Sequence, residues 1–173
     1  MNNKFVIHLA GRSCSGKSTV AELLSQRLPG IFTVDYDHIK WQLAGYHRDE
    51  HRADIEAIGQ AMYYSACERG LPVLLKLFSH NQGTFNSFKK IASNHDYKFI
   101  PIYLTAPDEV LIDRFRKRVA NAKKMGTRVS NTDEGLFRSW LKLDYFQSPE
   151  AKVFDTSKIG VAEIAEQIID LVK

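Results

Sequence analysis

The run Gly11-Arg12-Ser13-Cys14-Ser15-Gly16-Lys17-Ser18, followed by Thr19, has the spacing G-x-x-x-x-G-K-[ST]. It falls directly after the apolar stretch 4–10 and directly before a helical pattern, the context such a loop requires. Bringing several backbone N–H groups onto one polyphosphate takes a tight turn free of Cβ atoms, hence the two glycines. The helix behind the turn adds the positive end of its dipole, Lys17 reaches the β- and γ-phosphates, and the Ser18 hydroxyl takes a place on Mg²⁺. Residues Gly11 to Thr19 are therefore expected to hold a nucleoside triphosphate, with ATP and Mg²⁺ as the expected cofactors.

The rest of the chain alternates strand and helix signals around this loop. Residues 4–10 read as a strand buried on both faces. Val20, Leu23, Leu24 and Leu28 follow at helical spacing, stopped by Pro29-Gly30. A second strand is expected over 31–34, then a helix from about 52 to 69 with Ile55, Ile58, Met62 and Ala66 on one face. A third strand is expected over 71–78, a helix around 85–92 and a fourth strand over 99–104. Pro107-Asp108-Glu109 opens a helix running to about 122. A mobile polar loop over 123–132 comes next, followed by a helix over roughly 133–147 and a short strand at 153–154. Val161, Ile164, Ala165, Ile168, Ile169 and Val172 trace a last amphipathic helix. This order predicts a doubly wound α/β fold, a parallel five-stranded sheet between two helical layers. No internal repeat or linker divides the sequence, so residues 1–173 read as one domain with a small lid at about 119–132.

Composition narrows the partners. Apolar residues make up 44% of 173 and charged residues 25%, which excludes disordered and collagen-like classes. No apolar run reaches the length of a membrane span or a signal peptide. Two cysteines make no disulfide framework, and a reduced, cytoplasmic setting is expected. The net charge of +4 is concentrated: residues 114–128 hold seven basic side chains and no acid, while the other 158 residues carry 17 basic and 20 acidic ones. One segment, then, is built to meet an anion.

Other phosphate-loop classes lack their marks. There is no N-K-x-D guanine motif in a fitting context and no L-S-G-G-Q-like stretch, and the chain is too short for most motor or remodelling ATPases. A compact kinase is what this elimination leaves. Asp35-Tyr36-Asp37-His38-Ile39-Lys40 follows the second strand, at the carboxyl edge where open α/β sheets bind ligands. Phosphoryl transfer to a hydroxyl needs a carboxylate to orient it and take its proton, and Asp37 fits that place. Asp35 would act on Mg²⁺ through water or hold the loop; the alternative for both carboxylates is capping of a helix that begins near His38.

The loop, this acidic motif, the Arg-rich helix entering a lid and the late Asp155-Thr156-Ser157 together resemble the P-loop small-molecule kinases. That group includes nucleoside monophosphate, gluconate and shikimate kinases and the polynucleotide-kinase-like and zeta-toxin-like branch. In such kinases the acidic segment commonly reads D-x-x-R, and Asp37-His-Ile-Lys40 matches it with Lys for Arg. The resemblance implies Asp37 as base, Lys40 on the acceptor, Arg114 and Arg118 on the transferring phosphoryl group or the adenine, and Asp155-Thr156 beside the adenine. It also marks a departure, because the third strand offers Lys76 where an acid often helps position Mg²⁺. Lys76 then serves an anionic acceptor, snorkels from a strand end, or impairs transfer.

Arg48, with His47 and Arg52, is expected to border the acceptor pocket or to lie on a solvated helix start. The H-x-x-E-H spacing of residues 47–51 finds no third ligand, and the H-R-D at 47–49 lacks its companion motifs, so zinc and protein-kinase readings are set aside. The expected partners are ATP and a small acceptor, with no nucleic acid or membrane, in a monomer or homodimer. The open alternatives are a nucleoside monophosphate kinase, a nucleotide-binding regulatory module with little transfer, and a 5′-hydroxyl nucleic-acid kinase.

Overall fold

Strand β1 (Phe5–Gly11) is buried along its whole length, because it has a strand on each side and helices on each face. The computed structural model describes residues 4–76, 81–129 and 131–173. In chain order β1 is followed by α1 (Lys17–Arg27), β2 (Phe32–Asp35), α2 (Tyr36–Gln42), α3 (Arg48–Glu68), β3 (Val73–Lys76), α4 (Gln82–Asn94) and β4 (Lys98–Thr105). Then come α5 (Asp108–Met125), α6 (Glu134–Leu141), β5 (Lys152–Asp155) and α7 (Val161–Val172). The five strands lie parallel in the order β2-β3-β1-β4-β5, the doubly wound α/β fold expected.

Strand alternation sorts the core into two layers. Ile7 and Leu9 of β1, Leu74 of β3 and Ile102 and Leu104 of β4 pack with Val20 and Leu24 of α1 and with Ile164 and Ile168 of α7. Val6, Val34, Val73 and Leu75 point the other way, onto Ile55, Tyr63 and Ala66 of α3 and Phe88 of α4. A third cluster, in which Phe115 of α5 stacks on Phe137 of α6 at 4.3 Å, carries the lid region.

Several boundaries differ from expectation. α3 starts at Arg48, one turn early, with Asp49 and Glu50 favouring its positive end. Its buried line is Ile55, Gly59, Tyr63, Ala66 and Cys67, whereas Ile58 is 48% exposed. Gly59 belongs to that line because α3 lies against Tyr36, and a Cβ at residue 59 would stand 2.5 Å from the Tyr36 ring. α5 runs to Met125 and ends at Gly126, whose φ of 67° breaks the helix, so Lys123 and Lys124 ride on a helix and not on a loop. α6 stops at Leu141 and not near 147, since its Phe137–Leu141 apolar face is spent and its terminal carbonyl accepts from Arg12. β3 is described as far as Lys76; Leu77 and Phe78, expected in the same strand, lie outside the described residues, as does Ser130 of the expected lid.

One core residue is titratable. His8 of β1 is 2% exposed, with its ring against Phe85 at 5.3 Å and Phe99 at 5.5 Å. Burial lowers its pKa to about 4, against a backbone hydrogen bond that raises it. His8 therefore stays neutral in the fold but takes up a proton on unfolding below about pH 6.5. Stability must fall as pH drops from about 6.5 to 4, by up to about 3 kcal/mol from this group. Urea unfolding at pH 7.5 and 4.5 should show His8→Leu losing less stability over that interval than the wild type; equal losses would contradict this origin.

Candidate functional site

The phosphate-binding loop is the turn between β1 and α1. Its hinge is Gly11, at φ 143°, where a Cβ would stand 2.2 Å from the Leu104 carbonyl oxygen; no other residue fits so close to β4. Cys14 at φ 63° and Gly16 at φ 92° are both left-handed, a backbone pattern that curls successive N–H groups around an anion. Lys17 Nζ donates to the carbonyls of Gly11 and Arg12, each at 2.8 Å, so the lysine is folded back under the loop. Burial lowers its pKa to about 8, with the nearby charges of Lys76 and Arg118 adding to the effect and Asp37 opposing it. Ser15 Oγ is buried without a hydrogen-bond partner, while Ser18 and Thr19, in the first turn of α1, are exposed.

Arginines approach from three directions with different work to do. Arg12, expected on the nucleotide, turns its side chain away: Nη1 pairs with Asp108 Oδ1 at 2.7 Å and Nη2 donates to the Leu141 carbonyl at 2.8 Å. A carboxylate and a helix C-terminus satisfy that guanidinium, so only the Arg12 backbone faces the loop. Arg114 bridges the loop to the turn after β5, donating to Thr156 Oγ1 at 2.7 Å, the Thr156 carbonyl at 2.8 Å and the Cys14 carbonyl at 3.4 Å. Arg118 lies one turn further along α5, over the Phe115 ring at 5.5 Å, with a buried Nε that has no protein partner. Two buried polar atoms without partners, Ser15 Oγ and Arg118 Nε, flank the region around Lys17, and phosphate oxygens are the acceptors that would satisfy such donors.

The turn after β5 is set by its own side chains. Asp155 Oδ1 accepts from the Ser157 amide at 2.9 Å and from its hydroxyl at 2.6 Å, which holds the Asp155 carboxyl below the usual range. Thr156 is buried, with its amide on the Thr105 carbonyl at 2.8 Å. The Asp155-Thr156 pair is thus fastened to the loop through Arg114.

On the other side lie the carboxylates. Asp35 caps α2, with Oδ1 accepting from the amides of Asp37 at 2.9 Å and His38 at 3.4 Å, the capping alternative realised. Its Oδ2 pairs with Lys76 Nζ at 2.7 Å, a partnership dictated by register, since Asp35 and Lys76 are opposite each other in β2 and β3. Asp37, in the first turn of α2, pairs with Lys40 one turn on. Partial burial would raise the Asp37 pKa, but the Lys40 hydrogen bond and the charges of Lys40, Lys76 and Lys17 outweigh it and hold the carboxyl below its usual range. Lys40, expected on the acceptor, is committed to Asp37 and lies 5.1 Å from the Trp41 ring.

Beside this edge a groove of about 610 Å³ is lined by residues 41–47 and Arg128. Arg128 lies over the Trp41 ring at 6.0 Å, and Arg48, the first residue of α3, lies over Trp140 of α6 at 5.5 Å. The sequence reading missed Trp41 and Trp140; for Trp41, which is 42% exposed, the available signal was a tryptophan directly after Lys40 of the acidic segment. Among the described residues no three His, Cys, Asp or Glu side chains gather to hold a metal, and no helix is long and apolar enough to cross a membrane.

A family model described as an AAA domain matches residues 7–137. An adenylyl-sulfate kinase of Myxococcus xanthus (strain DK1622) is 27% identical over 141 residues, 75% of this chain and 76% of the relative. Among solved structures, the Mycobacterium tuberculosis APS kinase in complex with AMPPNP and APS superposes with a TM-score of 0.66 at 19% identity, covering 98% of this chain and 97% of that one. A gluconokinase of Sinorhizobium meliloti 1021 gives a TM-score of 0.53 at 16% identity, with 99% of both chains covered. With the family model spanning most of the chain and the glycine loop in place, the chain belongs to the AAA domain family and has the fold of the P-loop small-molecule kinases.

Proposed function

We propose that this protein is an ATP- and Mg²⁺-dependent kinase that transfers the γ-phosphoryl group to a hydroxyl or phosphate of a small metabolite or nucleotide. The observation that carries this reading is that Lys17 of the loop lies within reach of the charges of both Asp37 and Arg118, beside buried polar atoms, Ser15 Oγ and Arg118 Nε, that no protein group satisfies. The kinase names of the relatives support the same class.

In this reading the loop amides and Lys17 bind the β- and γ-phosphates, and Arg118 donates to the transferring group. Ser18 is the residue that would hold Mg²⁺, which supplies neutralisation of phosphate charge. Arg114 positions the loop against Asp155-Thr156, and the adenine end of ATP lies there. Asp37, ionised at neutral pH, orients the acceptor hydroxyl and receives its proton late. A weak base is sufficient, because a loose phosphoryl-transfer transition state asks for little proton abstraction before the bond to the leaving oxygen has stretched. Lys40 holds Asp37 in place. Arg48 and the Trp41 groove face the acceptor.

Phosphoryl transfer from γ-labelled ATP with Mg²⁺ across a panel of nucleosides, nucleotides, sugars, sugar acids and 5′-hydroxyl oligonucleotides tests the assignment. Adenylyl sulfate belongs first in that panel because of the Myxococcus relative. Asp37→Asn should lower kcat for the accepted substrate by about 10²–10⁴-fold with ATP affinity intact; near wild-type turnover would remove Asp37 from its role.

The Lys17 environment makes a separate prediction. A neutral lysine must regain its proton to meet phosphate, so ATP binding should take up protons near pH 8.5 and not near pH 6.5. Affinity should accordingly decline as pH rises past about 8. Calorimetry in buffers of different ionisation enthalpy reads the proton count, and Lys17→Ala should lose the ATP-induced rise in melting temperature.

A further inference from the structure

The Lys76–Asp35 pair occupies the sheet edge facing the nucleotide loop, and the proposed transfer reaction leaves it without a task. Lys76 is 7% exposed, a burial that lysine tolerates only when paired. Strand alternation fixes where it points: Leu74, two residues earlier, packs on Val20 and Leu24 of α1, so Lys76 faces α1 as well. Its register neighbour on the other side is Leu9, two residues before the hinge glycine of the loop. The ammonium is close enough for Lys17 and Asp37 both to feel its charge. Both oxygens of Asp35 carry hydrogen bonds, one from the α2 amides and one from Lys76, so its negative charge is already matched inside the protein.

Charge accounting shows what this arrangement does. Lys76 cancels Asp35 and Lys40 cancels Asp37, so Lys17 and Arg118 leave an excess of two positive charges before any ligand arrives. Metal-free ATP brings four negative charges, and its Mg²⁺ complex brings two. An acid in the place of Lys76 would cancel the protein's excess altogether and leave neutralisation to the metal.

We infer that Lys76, by neutralising Asp35 at a place where an acid would add a further negative charge, leaves the site's own cations to counter the triphosphate, which gives this chain an ATP site that depends only weakly on Mg²⁺ for binding. Resting on the kinase reading, the inference deepens it by assigning the metal to the transfer step and the protein's own cation to capture. Lys76 is a positioning and charge-balancing residue, acting through the field at the loop and through Asp35.

Equilibrium titration with a non-hydrolysable ATP analogue, in excess Mg²⁺ and in EDTA, reads this directly as a ratio of two Kd values. The wild-type ratio should lie within about tenfold. Lys76→Glu should raise it by about tenfold or more, as expected for reversing one charge at this range, and Lys76→Met should fall between. Lys76→Met, which keeps the stem's packing, serves if Lys76→Glu fails to fold, with melting temperature checked for each protein. A wild-type ratio beyond about tenfold, or a ratio unmoved by Lys76→Met in a folded protein, overturns the inference while the kinase reading stands. Failure of the wild type to bind the analogue under either condition overturns both.

Discussion

The approach of β1 to β4 at Gly11 is the contact on which the site depends. With the Leu104 carbonyl where a side chain would otherwise begin, the chain leaves the sheet at that residue and turns through left-handed Cys14 and Gly16 into α1. The turn leaves the Gly11 and Arg12 carbonyls under the loop, and Lys17 reaches back to both, so the lysine and the loop are fixed together. The layers of apolar side chains above and below the sheet hold this geometry in place, because β1 and β3, the strands that lead to the loop and to Lys76, are packed on both faces.

Around that loop the site divides by chain direction. The β5 turn and α5 contribute the donors of one side, with Arg114 spent on holding the turn and Arg118 left facing inward. The β2 and β3 ends contribute the carboxylates and Lys76 of the other, and their pairing is a matter of register alone. A single parallel sheet therefore places the glycine loop and the Asp35–Lys76 pair along one carboxyl edge, where open α/β sheets bind ligands.

Much of this was legible in the residues. The glycine loop, the strand–helix alternation and the Asp35–Lys40 segment carry local signals that tertiary packing leaves intact. What the sequence hid is of two kinds. Helix ends moved where a long-range partner intervened: α6 is cut at Leu141, whose carbonyl belongs to Arg12, 129 residues away. Side-chain partners were hidden as well, since spacing shows which residues share a face but not who meets them. Ile58 fits an apolar helical stripe as well as Gly59 does, and only the Tyr36 ring across the interface decides that the glycine faces inward. Likewise Asp35 and Lys76, 41 residues apart, become neighbours only through strand pairing.

The Arg12 clamp changes how the loop motif itself should be regarded. In the pattern G-x-x-x-x-G-K-S the spacing leaves the identity of the x residues open, because most phosphate contacts come from the backbone. Here the first of them is bolted to the N-terminus of α5 and the C-terminus of α6. The eight-residue stretch is not an interchangeable cassette: grafted onto another scaffold of this kind without an Asp108 and a Leu141 carbonyl, it would carry a stranded guanidinium, and a foreign loop placed here would orphan both of those groups.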